Sequence, residues 1–145
     1  MYFARFYLVS HPQPIKDDPR LVWGPQEELA VSAGDGIGLN SVTSEHTAHV
    51  TLVVADDETE VPDHLRDHRP RYAFTNSRPE IAVVDTEGRT ALVTAAPATG
   101  PITCVVECTG RDETFNARHH EHRDPIVDIE RWHITIWPTP TTEIA

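Results

Sequence analysis

The chain has 145 residues, 39% of them hydrophobic, and its 23 acidic and 12 basic residues give a formal net charge of −11. This length and hydrophobic content suit a domain that folds without metals or disulfides, and they argue against global disorder. The charge excludes nucleic acid and anionic membranes as favoured partners, because binding to phosphates depends on lysine and arginine. It favours a basic protein partner, or it serves only to keep the protein soluble.

Apolar and polar residues alternate along most of the chain, which is the period of a half-buried β-strand. Proline and glycine separate the alternating runs, as loops and strand edges require. The pattern predicts an all-β fold, an antiparallel β-sandwich of about eight or nine short strands, with a partly open β-barrel as the alternative. In chain order, strands are predicted at 2–9, 27–33, 36–43, 46–55, 71–77, 81–85, 90–95, 101–109 and 128–137.

The strands are predicted to form one domain over residues 1–138, followed by a loose tail at 139–145. No window of about 11 residues or more has a sustained helical stripe, although one helical turn fits residues 62–68. Two long connections stand out, at 56–70 and 110–127. Long connections in compact domains often carry binding residues, so we expect function there.

The two cysteines, Cys104 and Cys108, fall on the same face of a predicted strand, about 13 Å apart at about 3.3 Å per residue. A disulfide needs Cα atoms within about 7 Å, so both thiols are predicted to be free, as in a reducing compartment. The first residues lack the features of a signal peptide, and no apolar run approaches the about 20 residues of a membrane helix. We therefore expect a cytoplasmic protein.

Five carboxylates are concentrated in the first long connection. Such a group would attract a positively charged protein and pair with its arginines. The alternative is a solvated loop that protects nearby strand edges from aggregation. The spacing does not match a calcium-binding EF-hand loop, which also needs a central glycine. The predicted partner-binding residues are Asp56, Asp57, Glu58, Glu60 and Asp63.

Histidines form two candidate metal sites, because imidazole is a common ligand of zinc, nickel and copper. The first contains His119, His120 and His122, and the second contains His64 and His68, which are four residues apart. Adjacent residues rarely converge on one ion, so adventitious binding is the competing interpretation. We expect no cofactor, with a transition metal such as Zn or Ni as the alternative.

No catalytic motif is present: the chain has no nucleophile elbow, kinase signature or Walker loop. The glycines of residues 34–38 predict a tight β-turn, because a strand rather than a helix follows them. Arg111 is expected to fix its loop by pairing with neighbouring carboxylates. Trp132 and Trp137 are predicted on opposite faces of the last strand. If one of them is exposed at an edge, it would anchor an interface, but the favoured interpretation is that both, with Trp23, are packing residues.

The second half of the chain resembles a known group of proteins. Cys-Thr-Gly-Arg-Asp-Glu at 108–113, Glu-Arg-Trp-His-Ile-Thr-Ile-Trp-Pro at 130–138 and His-Val-Thr-Leu-Val-Val at 49–54 are similar to small actinobacterial proteins of unknown function. That group is distantly similar to competence protein J, a bacterial β-sandwich that inhibits a nuclease. The resemblance covers residues 27–138 and carries no inhibitory residue across.

The resemblance implies a non-enzymatic, protein-binding domain, an inhibitor or immunity protein that masks a cationic partner such as a nuclease. The alternative is a metal-binding β domain that uses the histidine clusters. Exposed edge strands add a homodimer to the expectations.

Overall fold

The computed structural model describes residues 5–10, 30–33, 36–40, 47–68, 70–85, 89–121 and 127–140. Each of the nine predicted strands is present in these ranges, within a few residues of its expected bounds. The strands are β1 (Arg5–Val9), β2 (Ala30–Ala33), β3 (Gly36–Asn40), β4 (Thr47–Val54), β5 (Tyr72–Asn76), β6 (Glu80–Asp85), β7 (Thr90–Ala95), β8 (Gly100–Thr109) and β9 (Val127–Pro138). The helices are α1 (Asp63–Arg66) and α2 (Arg111–His119).

The strands form two sheets, with the orders β2-β3-β1-β6-β7 and β4-β9-β8-β5. This confirms the predicted all-β sandwich; within the described ranges the strands do not close into a barrel. The pairing is antiparallel except between β4 and β9, which run parallel. Among the described strands, the sandwich is thus antiparallel at every pair but this one. That pair joins segments about 80 residues apart in the chain.

The core lies between the sheets and is built from the inward-facing side chains of both. Phe6 and Leu8 of β1 meet Ile134 and Trp132 of β9 in one continuous apolar cluster. The rings of Phe6 and Trp132 contact edge to face, with centroids 5.2 Å apart. Full burial of each large apolar side chain stabilises the fold by about 1.5–3 kcal/mol. The alternation in the sequence thus places one face of each central strand in this core.

A close backbone approach explains one glycine of the predicted β-turn. Ala33 pairs with Gly36 across the β2–β3 hairpin, and residues 34–35 between them lie outside the described part. A Cβ at Gly36 would lie 2.7 Å from the carbonyl oxygen of Leu8 on the neighbouring strand β1. Any larger residue would therefore push β3 away from β1.

The second long connection differs from its prediction as a loop, because residues 111–119 form α2. Gly110 precedes the helix with a φ of 80°, a left-handed conformation that favours glycine. The hydroxyl of Thr114 donates to the carbonyl of Gly110 at 2.7 Å. Thr114 and Ala117 are buried, and α2 packs on β9. Side chains this small give almost no apolar stripe, which is why periodicity missed the helix.

Candidate partner-binding surface

The acidic segment, residues 56–63, directly follows β4 and covers part of the outer face of the four-stranded sheet. Its anchors are Val61 and, just beyond it in α1, Leu65, which are 2% and 6% exposed. Both pack on Val105 and Trp137 in a second apolar cluster. These two sheet residues point away from the main core, because they alternate with core residues along β8 and β9. The segment is therefore seated on the sheet by its own small core.

The structure supports the interpretation of both tryptophans of the last strand as packing residues, and neither lies at an edge or surface. Trp23 lies outside the described part. Trp132 is in the main core, and Trp137 is fully buried on the opposite face of β9. The guanidinium of Arg71 lies over the ring of Trp137, 5.8 Å from its centroid. Alternation correctly separates the two rings, but it does not reveal that a distant segment covers the outer one.

Hydrogen bonds within the acidic segment fix its backbone. Residues Glu58–Glu60 form a 3-10 turn, and the carboxylate of Asp57 caps it by accepting from the backbone N–H of Thr59 at 2.8 Å. The hydroxyl of Thr59 also donates to Asp57. These two bonds hold the pKa of Asp57 below its usual value. Glu60 accepts from the backbone N–H of Asp56 at 3.0 Å. The segment therefore presents its carboxylates in one defined conformation.

The charge of the segment is only partly compensated. Asp63 pairs with Arg66 one turn later in α1. Asp57 and Glu60 accept the hydrogen bonds that shape the segment, yet both remain exposed. Asp56 is exposed and Glu58 half-exposed, and neither side chain has a salt-bridge partner among the described residues. All five predicted residues thus lie together on one surface.

An open groove lies beside the acidic segment on the same sheet face. It has a volume of about 310 Å³. The strand register arranges its side chains in two rows across β4, β9 and β8. The first row is His49, Arg131 and Thr109, and the second is Thr51, His133 and Glu107. We call this feature the polar groove.

The polar groove was not predicted from the sequence. Its two rows follow from the parallel pairing of β4 with β9. No local sequence pattern predicts which strands will pair in this way. His49, Arg131 and His133 are exposed, so the groove is a shallow depression and not an enclosed active-site pocket. In the next row toward the acidic segment, Val105 and Thr135 are buried, whereas Val53 is exposed. The only available sequence signal was the polar side of the alternation in residues 128–137.

A buried polar cluster joins α2 to the ends of β8 and β9. Glu130 is fully buried, and its carboxylate accepts a 2.6 Å hydrogen bond from the indole N–H of Trp132. Burial, with the negative charge of Glu130, raises the pKa of the Cys108 thiol to about 12, although Arg111 opposes this rise. Cys108 is therefore a protonated thiol at neutral pH and a poor nucleophile.

The guanidinium of Arg111 lies over the ring of Trp132, 6.0 Å from the ring centroid. Together with its hydrogen bond to Cys108, this contact ties the first residue of α2 to the sheet. Arg111 therefore belongs to the packing of α2. Both cysteines are free, as predicted, and burial also raises the pKa of Cys104.

The predicted histidine sites do not assemble into a metal centre within the described ranges, which hold no group of three or more ligand residues. His64 is exposed in α1, whereas His68 lies beyond the end of that helix. His120 ends α2 with its ring 6.1 Å from that of Phe115. The side chain of His119 and all of His122 lie outside the described part. The metal-binding alternative therefore stays a prediction.

The structure bears only in part on three further expectations, which concern the membrane, the homodimer and the C-terminal tail. Among the described residues no helix has the length and hydrophobicity needed to cross a membrane. The edge strand β7 is exposed at five of its six residues, which leaves the homodimer as a prediction. Thr139 of the predicted tail still bonds to Pro101, with a 3.0 Å N–O distance, and residues 141–145 lie outside the described part.

No protein-family model matches the chain, and no curated protein or solved structure is significantly similar to it.

Proposed function

We propose that the protein is a non-enzymatic binding domain whose acidic segment covers a positively charged surface of another protein. The fixed presentation of Asp56, Asp57, Glu58, Glu60 and Asp63 on the sheet is the observation that carries this proposal. A flexible acidic loop would lose conformational entropy on binding, whereas this segment is already ordered by Val61 and Leu65. Preorganisation of this kind converts charge attraction into affinity.

The electrostatics of the whole chain support the same proposal. A net charge of −11 produces a long-range field that speeds the approach of a basic partner, and carboxylates then pair with its arginines at short range. An inhibitor or immunity protein that masks the cationic cleft of a nuclease has this chemistry, and the sequence resemblance points to the same class. The raised pKa of Cys108 and the openness of the polar groove also agree with a role without catalysis.

The test is capture of binding partners from a lysate of the native host, with quantitative mass spectrometry of the recovered proteins. We expect the native protein to enrich one or a few basic proteins, and Asp56→Lys and Glu58→Lys to lose them. Glu80→Lys is the matched control, because it makes the same change in net charge on an exposed residue of the other sheet. It should retain the partner.

The proposal fails if no basic protein is recovered, or if the segment variants and Glu80→Lys bind the same partner equally. Once a partner is purified, its activity is measured with and without the protein. A nuclease whose activity falls in a stoichiometric titration would support the inhibitor role, and a partner whose activity is unchanged would exclude it. Binding should weaken as salt is raised from about 0.05 to 0.5 M, because screening shortens the reach of these charges to a few ångströms.

A further inference from the structure

The polar groove carries hydrogen-bond donors from three strands, whereas the acidic segment beside it carries carboxylates. Its first row holds His49 next to Arg131, with Thr109 on the other side of Arg131. These three side chains arrive from three adjacent strands, spaced about 4.8 Å apart. One guanidinium, one imidazole and one hydroxyl thus share one row of the sheet. All three can donate hydrogen bonds to the same small acceptor.

We propose that the polar groove binds a small oxyanion such as a phosphate group. A planar guanidinium gives a phosphate two parallel hydrogen bonds, and the neighbouring imidazole and hydroxyl supply further donors. The groove, at about 310 Å³, has room for a phosphate group and for part of a molecule attached to it. The anion binds over the first row, between His49 and Arg131.

The second row explains why the anion would bind over the first row, because the second row contains a carboxylate that repels it. Its carboxylate, Glu107, lies directly opposite His133 on the adjacent strand, a position where opposite charges attract when the imidazole is protonated. Glu107 is two strands and one row away from His49, which is about 10 Å or more at the usual spacing of strands. Glu107, which is the carboxylate among the described lining residues, is thus far from His49.

Local charges decide the binding despite the overall negative charge of the chain. At physiological ionic strength the screening length is about 8 Å, so most carboxylates of the protein act weakly on the groove. Binding therefore depends on Arg131 and on the hydrogen-bond donors beside it in the first row.

The test is titration of the protein with inorganic phosphate at pH 6, followed by NMR of the imidazole groups of His49 and His133. Each point is compared with sodium chloride at the same ionic strength. We expect saturable shifts with a dissociation constant in the millimolar range. Arg131→Gln should weaken binding about tenfold, and Glu107→Gln should tighten it about twofold to fivefold.

Arg89→Gln is the matched control, since Arg89 is an exposed arginine that precedes β7 on the other sheet. It should bind phosphate as the native protein does. The variants change exposed or half-exposed residues, and circular dichroism checks that each one is folded. Absence of a saturable shift at about 50 mM phosphate and pH 6, which means a binding free energy below about 2 kcal/mol, would overturn the proposal. Equal binding by Arg131→Gln and Arg89→Gln would overturn it too.

The proposal does not depend on the acidic segment. Phosphate binding should be unchanged in Asp56→Lys and Glu58→Lys beyond a small general effect of charge, whereas these variants are expected to lose the basic partner. Failure of one proposal therefore leaves the other standing.

Discussion

The anchoring of the acidic segment can be tested by shortening Leu65 to alanine. The substitution removes three carbon atoms from a side chain that is 6% exposed. At about 0.8 kcal/mol for each buried methylene, the loss of burial alone comes to about 2.4 kcal/mol. The cavity adds to this cost, but the second apolar cluster is small, with five buried members among the described residues, and can partly collapse. We therefore expect a total of about 2.5–3 kcal/mol, near the lower end for such substitutions.

Urea unfolding followed by tryptophan fluorescence measures this change. The midpoint should fall while the slope of the transition stays unchanged, and the melting temperature should drop by about 6–10 °C for a chain of this size. Val53→Ala is the control on the same sheet face, because Val53 is 39% exposed and should cost about 1 kcal/mol. A loss below about 1 kcal/mol for Leu65→Ala would refute the idea that this residue fixes the segment.

Three more outcomes are expected. Because burial raises the pKa of Cys104, its thiol ionises only in the unfolded chain above about pH 8.5, so stability falls as the pH rises. Between pH 9 and pH 10, unfolding measurements should show the native protein losing about 1 kcal/mol more than Cys104→Ala. Trp132→Phe removes the donor to the buried carboxylate of Glu130 and should cost about 1.5–3 kcal/mol in denaturant titrations, with less cost in a Glu130→Gln background. Metal analysis of untagged protein should find zinc and nickel far below one equivalent, and a stoichiometric metal lost in His120→Ala would establish the metal-binding alternative.

Local pattern was sufficient to predict the strands. The alternation around Trp132 and Ile134, and the glycine and proline between runs, identified each strand and the two-layer fold. Pattern failed at α2, where the buried residues Thr114 and Ala117 are too small to make an apolar stripe. Hydrophobic periodicity in the sequence detects a helix only when the buried face of that helix carries large apolar side chains.

The candidate sites divide in the same way. The acidic segment could be found from composition, because five carboxylates occur within eight residues. Its support could not be found, since Val61 and Leu65 pack on strands that are far away in the chain. The polar groove depends on the alignment of His49 with Arg131, and only the tertiary pairing of β4 with β9 creates it. Sequence predicts which residues a strand exposes, but not which exposed residues become neighbours.

The parallel pairing of β4 with β9 has a consequence for biosynthesis. β9 is the last described strand in chain order, yet it lies between β4 and β8 inside its sheet. On a ribosome, β4 would emerge long before the strand that completes it, and closing so large a loop is slow. We therefore expect the nascent chain to be unable to recognise a partner until translation has passed residue 136, so that binding competence begins only once β9 has been synthesised.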